Sequence, residues 1–482
     1  MAITNGQILV SEETNKSNTP LMMAFTRKSA ANFVIVMIVM LSLIGKCVNG
    51  GNGEYEGVGG GAPMVKTEKE ALYSAIQGFV GEWWNGSDLY PDPCGWTPIQ
   101  GISCDIFDGF WYVTDLNIGS VDDNFLACAP YVEFRPHLFQ LNHLKSLAFF
   151  HCFVAPIPIP IPSGNWPALS GSLESLEFRS NLGLEGKIPA DFGQLRKLQS
   201  LVLTENGLSG GLPENIGNLT RLKRLVLSGN GFTGEIRDSY GYLSELLILD
   251  LSRNSLSGSL PLTFGGEISN LKNLTLLDLS NNKISGGLIK SIQEMYSLEE
   301  LVLSRNPIGD DLMNIEWQNL QGLMVLDLSS TQLTGGIPES LSQLKKLRFL
   351  GLNNNNLSGN LSPKLAELPN LSSLYVYGNH LTGELKFSQR FYGKMGRRFG
   401  AWNNSNLCFS VGLKPTSFEP FGVKACQEVM TSEVSFRDSG SKIVNGNKNR
   451  VPHFKTSLSS TRCTFNSRWC MFWMIILFNF FM

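Results

Sequence analysis

Charge, histidine and long apolar runs are what this chain has least of. Only 17% of its 482 residues are Asp, Glu, Lys or Arg, and 39 basic against 41 acidic residues leave a net charge of −2. A balance so near neutral gives no footprint for nucleic acid. The five histidines (His137, His143, His151, His380 and His453) have no metal-ligand spacing, and no CxxC occurs. No metal and no cofactor is therefore expected. HExxH, GxSxG and P-loop motifs are missing, and the run Gly57–Gly61 lacks the P-loop lysine. HRD and DFG are missing too, and 56 residues after Cys426 are too few for a kinase. No enzyme is expected and no catalytic residue is assigned. No apolar run reaches the ~20 residues of a membrane-spanning helix. Two shorter ones stand near the ends, Phe33–Ile44 and Trp469–Met482.

What is present is glycine, 49 residues of it, and a repeat. LQSLVLTENGLSGGLPENIGNLTR starts at Leu198, LKRLVLSGNGFTGEIRDSYGYLSE at Leu222, LLILDLSRNSLSGSLP at Leu246 and LMVLDLSSTQLTGGIP at Leu323. The second leucines fall at 147, 176, 201, 225, 249, 277, 301, 326, 350 and 374, mostly 24 residues apart. Ten repeats share this period, and VTDLNI (Val113 to Ile118) reads as a partial eleventh. In LxLxx the strand alternation turns the leucines inward and the intervening residues out. The asparagine at the end of each strand (Asn206, Asn230, Asn254, Asn282, Asn306, Asn355, Asn379) can bond free backbone groups of adjacent coils. Replacing Asn254 by leucine should then cost stability. Gly210, Gly234, Gly258 and Gly335 suit a tight turn. One repeat cannot bury its own leucine face, so stacking is obligatory. The proline-rich PIPIPIP, Pro156 to Pro162, is expected to protrude as a loop.

Arg27 and Lys28 ahead of Phe33–Ile44 make an export signal, followed at once by the glycine-rich stretch Gly50–Pro63. Export places the chain in an oxidising compartment. Apart from Cys47 at the signal boundary and Cys463 and Cys470 in the tail, six cysteines remain: Cys94, Cys104, Cys128, Cys152, Cys408 and Cys426. Disulfides are their default state. Seven N-x-S/T sequons follow the signal, at Asn85, Asn218, Asn273, Asn356, Asn360, Asn370 and Asn403, and several are expected to carry glycans.

The LSGSLP and LTGGIP segments (Leu256–Pro261, Leu333–Pro338) resemble those of plant extracellular leucine-rich-repeat proteins. The likeness is nearest to the Piriformospora indica-insensitive family. The residues that carry it are WWNGSDLYPDPCGWTPIQGISCD (Trp83 to Asp105) and DDNFLACAPYVEFRPHLFQLNHLKSLAFFHCF (Asp122 to Phe153). The fold implied is an α/β solenoid, a leucine-rich-repeat right-handed superhelix with disulfide-bonded N- and C-terminal caps. An amphipathic helix from Glu68 ending in Trp83–Trp84, stapled by Cys94–Cys104, would cover the first coil. Cys408 and Cys426 after NNSNL are similar to the family's C-terminal caps. Cys128 and Cys152 lie 24 residues apart, one period, so a bridge between them would join adjacent coils. The expected layout is a signal peptide with N-terminal extension (1–50), a linker (51–65), an N-cap (66–112), about 10–11 repeats (113–400), a C-cap (401–426), a polar stalk (427–468) and a hydrophobic tail (469–482).

The resemblance implies a membrane-associated recognition protein without a kinase, involved in the response to a root-colonising fungus. Its partners would be a protein, peptide or glycan ligand and a transmembrane co-receptor kinase. The alternative is a secreted inhibitor of microbial wall-degrading enzymes, since polygalacturonase-inhibiting proteins share about ten such repeats. On the outward strand face, Asp250, Arg253, Asp278, Arg305, Phe349, Tyr375 and Tyr377 are the candidate ligand or partner residues, with arginine and tyrosine favoured as anchors. The tail, about 21 Å as a helix against a ~30 Å hydrocarbon core, is short for a span. Small residues, a polar spacer and a terminal apolar run match a GPI-attachment signal, with Ser457 or Ser459 as the site. A short or interfacial anchor and a removable terminus are the other readings.

Overall fold

The computed structural model describes residues 62–119, 126–154, 158–265, 271–410 and 419–426. The signal segment, the stalk, the tail and both candidate attachment serines, Ser457 and Ser459, lie outside the described residues.

The LxxLxL periodicity becomes one 13-stranded sheet. Its first two strands, Ile102–Phe107 and Phe110–Gly119, pair antiparallel. Every later neighbour is parallel. The leucines stand in one row: Leu116 faces Leu147, then Leu176, Leu201, Leu225, Leu249, Leu277, Leu301, Leu326, Leu350 and Leu374. All are fully buried. Phe399 ends the row. A buried leucine contributes roughly 1.5–3 kcal/mol, but here only because the next coil covers it.

After most strands the chain turns at an asparagine and forms a second side. A six-stranded and a four-stranded sheet are built from segments such as Gly231–Glu235, Ser255–Gly258 and His380–Leu385. Gly234 and Gly258 adopt φ of 78° and 79° there, a region that favours glycine. The described part of the proline segment, residues 158–162, belongs to this side and does not protrude as expected. Ile159–Pro160 is the edge strand of the six-stranded sheet. The N–H of Ile159 donates to Gly183 O at 2.9 Å. Alternating isoleucines leave donors between the prolines, and an edge position tolerates the missing ones.

The third side carries short 3-10 helices, for example Ala190–Gln194, Glu214–Asn218 and Asp238–Tyr242. Five residues are too few to repay α-helix nucleation. Three α-helices occur among the described residues, Lys66–Val80, Gly86–Leu89 and Gln389–Met395, all in the end regions. Gly193, Gly217 and Gly241 let successive coils approach closely: a Cβ on Gly217 would sit 2.5 Å from Ser239 O.

The helix Lys66–Val80 buries Leu72, Ala75, Ile76 and Phe79 over the first coils, with the Phe79 and Phe149 ring centroids 4.3 Å apart. It stops four residues before Trp84. Trp84 is buried whereas Trp83 is exposed. The buried Glu68 accepts the N–H of Val113 at 3.2 Å, and burial pushes its carboxyl up. Disulfides join Cys94 to Cys104, Cys128 to Cys152 and Cys408 to Cys426. At the far end, Phe391, Tyr392 and Met395 of Gln389–Met395 close the stack, with Phe391 against Phe387 and Phe399. Among the described residues no helix is long and apolar enough to cross a membrane.

Candidate recognition face

The outward residues of the long sheet fall into columns. The column after the row leucine runs Glu177, Val202, Val226, Asp250, Asp278, Val302, Asp327, Gly351, Tyr375. Asp250 and Asp278 are thus direct neighbours, and Asp327 lies one strand beyond Val302. Each aspartate accepts the N–H two residues on: Ser252 at 2.9 Å, Ser280 at 2.8 Å and Ser329 at 3.0 Å. One oxygen of each is therefore committed to shaping the end of its own strand. Burial, helped by the charges of Asp250 and Asp327 and opposed by the Ser280 hydrogen bonds, pushes Asp278 up to about 6.

Arg253 and Arg305 do not join that acidic column. They occupy the position before the ladder asparagine, where the chain is left-handed at φ of 55° and 58°, as at Glu205, Asn281, Asn354 and Asn403. Arg253 Nη2 reaches across Gly229 to Glu205 Oε1 at 3.1 Å, two coils away. A Cβ on Gly229 would come within 3.1 Å of Glu205 Cγ. Arg305 Nη1 donates to Asn281 Oδ1 at 3.1 Å. Both guanidiniums point to the preceding coils.

The aromatic candidates do come together. The Phe349 and Tyr375 centroids are 5.8 Å apart, those of Tyr375 and Tyr377 6.3 Å. The row continues into two residues that the sequence reading missed. Trp402 stacks on Tyr377 at 4.3 Å and 7°, and Phe421 meets Trp402 edge-on at 5.8 Å. Trp402 was legible: AWNN (Ala401–Asn404) is VYGN (Val376–Asn379) one coil later. Phe421 has no periodic signal. Gly351 leaves space beside this row, since a Cβ there would lie 2.9 Å from the Phe349 ring. A groove of about 460 Å³ opens beside Trp402, lined by His380, Asn403, Ser405 and Lys424 among others.

All seven sequon asparagines are exposed. Asn218 ends a 3-10 helix, and Asn360 closes the second-side strand Ser358–Asn360. Asn403 stands beside Trp402. None lies in the column of Asp250 and Asp278. Among the described residues no group of His, Cys, Asp and Glu is placed to hold a metal ion.

A family model described as leucine-rich repeat region matches residues 171–416. Piriformospora indica-insensitive protein 2 of Arabidopsis thaliana is 54% identical over 391 residues, covering 76% of this chain and 92% of that protein. Receptor like protein 29 of the same plant is 32% identical over 149 residues, 30% of this chain and 31% of its own. Among solved structures, the PEPR1–AtPEP1 complex has a TM-score of 0.50 at 24% identity, over 72% of this chain and 52% of that one. A plant ice-binding protein gives 0.51 at 24% identity, over 76% and 99%. Both structural likenesses establish the fold.

Proposed function

The chain belongs to the leucine-rich-repeat family that contains Piriformospora indica-insensitive protein 2, and from that premise we propose that it is a cell-surface recognition protein of plant–microbe interaction. It binds a peptide, glycan or protein ligand on the strand face and passes the signal to a transmembrane partner kinase, since these 482 residues contain no kinase motif. The observation that carries this reading is the aromatic row Phe349, Tyr375, Tyr377 and Trp402, half-buried at one end of that face. Large amphipathic rings lose little side-chain entropy on binding and are common interface anchors. The name of the 54%-identical relative supports the fungal context.

The test is complementation. Roots lacking the protein are supplied with wild type or with Tyr375→Ala/Tyr377→Ala, and growth with the root-colonising fungus is scored. The double variant should reach the surface and fail to restore the response. Full restoration by a folded, surface-displayed variant sinks the reading. A lipid anchor forms part of the proposal: phospholipase C should release the wild-type protein from membranes, and a mature peptide containing Trp473 would exclude a cleaved GPI signal.

A further inference from the structure

A groove of about 800 Å³ crosses three successive coils on the side of the 3-10 helices, away from the aromatic row. Arg196, Lys197 and Arg221 line it, together with Gln194, Asn218 and Thr220. The repeat places them. Arg196 and Lys197 follow the 3-10 helix Ala190–Gln194, and Thr220 and Arg221 occupy the same two positions one coil later, after Glu214–Asn218. Lys197 and Arg221 are thus stacked equivalents on neighbouring coils, about 4.8 Å apart along the stack. On the next coil the equivalent of Arg221 is Glu245, so the cationic strip ends there.

No carboxylate lines this groove, and none of its three cations forms an ion pair among the described residues. The contrast on the same side of the molecule is informative. The groove at Lys345 also contains Glu339, Glu367 and Lys364, and there Lys364 is paired with Glu339. Three unpaired cations in a polar trough repel one another unless an anion or counterions join them. Here they do so in a chain of net charge −2.

We propose that this groove binds an anionic polysaccharide bearing carboxylates on successive sugars. Arginine presents a fork that matches a carboxylate, and lysine adds a point charge. The hydroxyls of Ser170 and Thr220 and the amides of Gln194 and Asn218 supply partners for sugar hydroxyls. An anionic membrane fits less well, because no apolar side chain lines the trough to enter a bilayer. Such a contact holds the protein to an acidic matrix and leaves the strand face free. Asn218 and Thr220 are also a sequon, so a glycan on Asn218 would occupy the same space. The groove is open only on chains that lack it.

The experiment therefore uses the secreted full chain carrying Asn218→Gln, which keeps the amide and removes the glycan. Its binding to immobilised polygalacturonate of low methyl-esterification is measured as salt rises. Binding should fall with ionic strength. Adding Arg196→Gln, Lys197→Gln and Arg221→Gln should weaken it roughly tenfold or more, by analogy with loss of cations from other polyanion sites. Adding Lys345→Gln and Lys346→Gln instead should leave it unchanged. The proposal is overturned if the folded triple variant binds as well as its parent, or if fully methyl-esterified polymer binds equally. It is overturned in favour of a membrane if phosphatidylserine vesicles bind more tightly than the polymer and lose binding with the same three substitutions.

Discussion

Asn254 carries out in one side chain the task that stacking imposes on every coil. Its amide donates to Leu227 O at 3.0 Å, Leu251 O at 3.0 Å and Ser252 O at 3.1 Å, and its carbonyl accepts from Phe232 N at 3.1 Å. Asn254→Leu leaves those backbone groups unpaired, and we expect a loss of about 2–4 kcal/mol in chemical denaturation. A variant that melts with wild type would show that water replaces the amide. The ladder also includes Asn181 and Asn404, whose amides donate to Phe149 O at 3.1 Å and Ala401 O at 2.9 Å. Asn181 escaped the sequence reading because its repeat carries an extra residue before Leu184. At Thr331 the ladder persists with a hydroxyl, 2.6 Å from Leu328 O, in the place of the amide. Asp278 behaves oppositely. Its pKa is raised from 3.8 to about 6 by burial first and its neighbours second. A carboxyl whose pKa is higher folded than unfolded makes the fold less stable as pH rises from about 4 to about 6. Asp278→Asn retains an oxygen for the Ser280 N–H. It should stabilise by about 1–2 kcal/mol above pH ~6 and change little below pH ~4, read as thermal melts across that range.

At the scale of the single coil, the 24-residue period was legible because leucine, asparagine and glycine each answer to a different physical demand. The third side was not. Its 3-10 turns depend on how closely neighbouring coils approach, which no single repeat reveals. Gly217 sets that approach. A methyl there meets Ser239 O at 2.5 Å, backbone that cannot rotate away. Gly217→Ala should cost about 1–3 kcal/mol although alanine favours helical turns. An unchanged melting temperature would mean that the coils can spread. The proline segment teaches the same lesson from the other side. Proline chemistry argued against a ladder, yet the neighbouring edge at Leu184–Glu185 accepted Ile159–Pro160. The Cys94–Cys104 bridge closes a loop of ten residues beneath the N-terminal helix. Removing it as Cys94→Ser/Cys104→Ser should cost about 2–3 kcal/mol. Amide exchange should accelerate first in Lys66–Val80 and Ile102–Phe107. Uniform acceleration along all coils would contradict a cap that opens locally.

For the whole molecule, a stack whose repeats touch only their neighbours needs both ends covered, and two unlike helices do this. Between them the strand face divides by position: an acidic column tied to its own backbone, arginines turned to the preceding coils, and an aromatic row at the C-terminal end. The cationic trough lies on another side. Recognition and matrix attachment would thus be spatially separate. Substituting Tyr375 and Tyr377 should abolish the former and leave polygalacturonate binding intact, a double dissociation that binding and complementation together can check. By itself, the sequence determined the solenoid, the inward leucines and the asparagine ladder, because these are periodic and each coil meets the same local demand. Tertiary structure alone decided which outward residues meet. Arg253 pairs with Glu205 two coils off, and Phe421 lands on Trp402 from beyond the last repeat. Those contacts depend on register between coils and on where the caps return the chain, and neither is written in the composition of any one repeat.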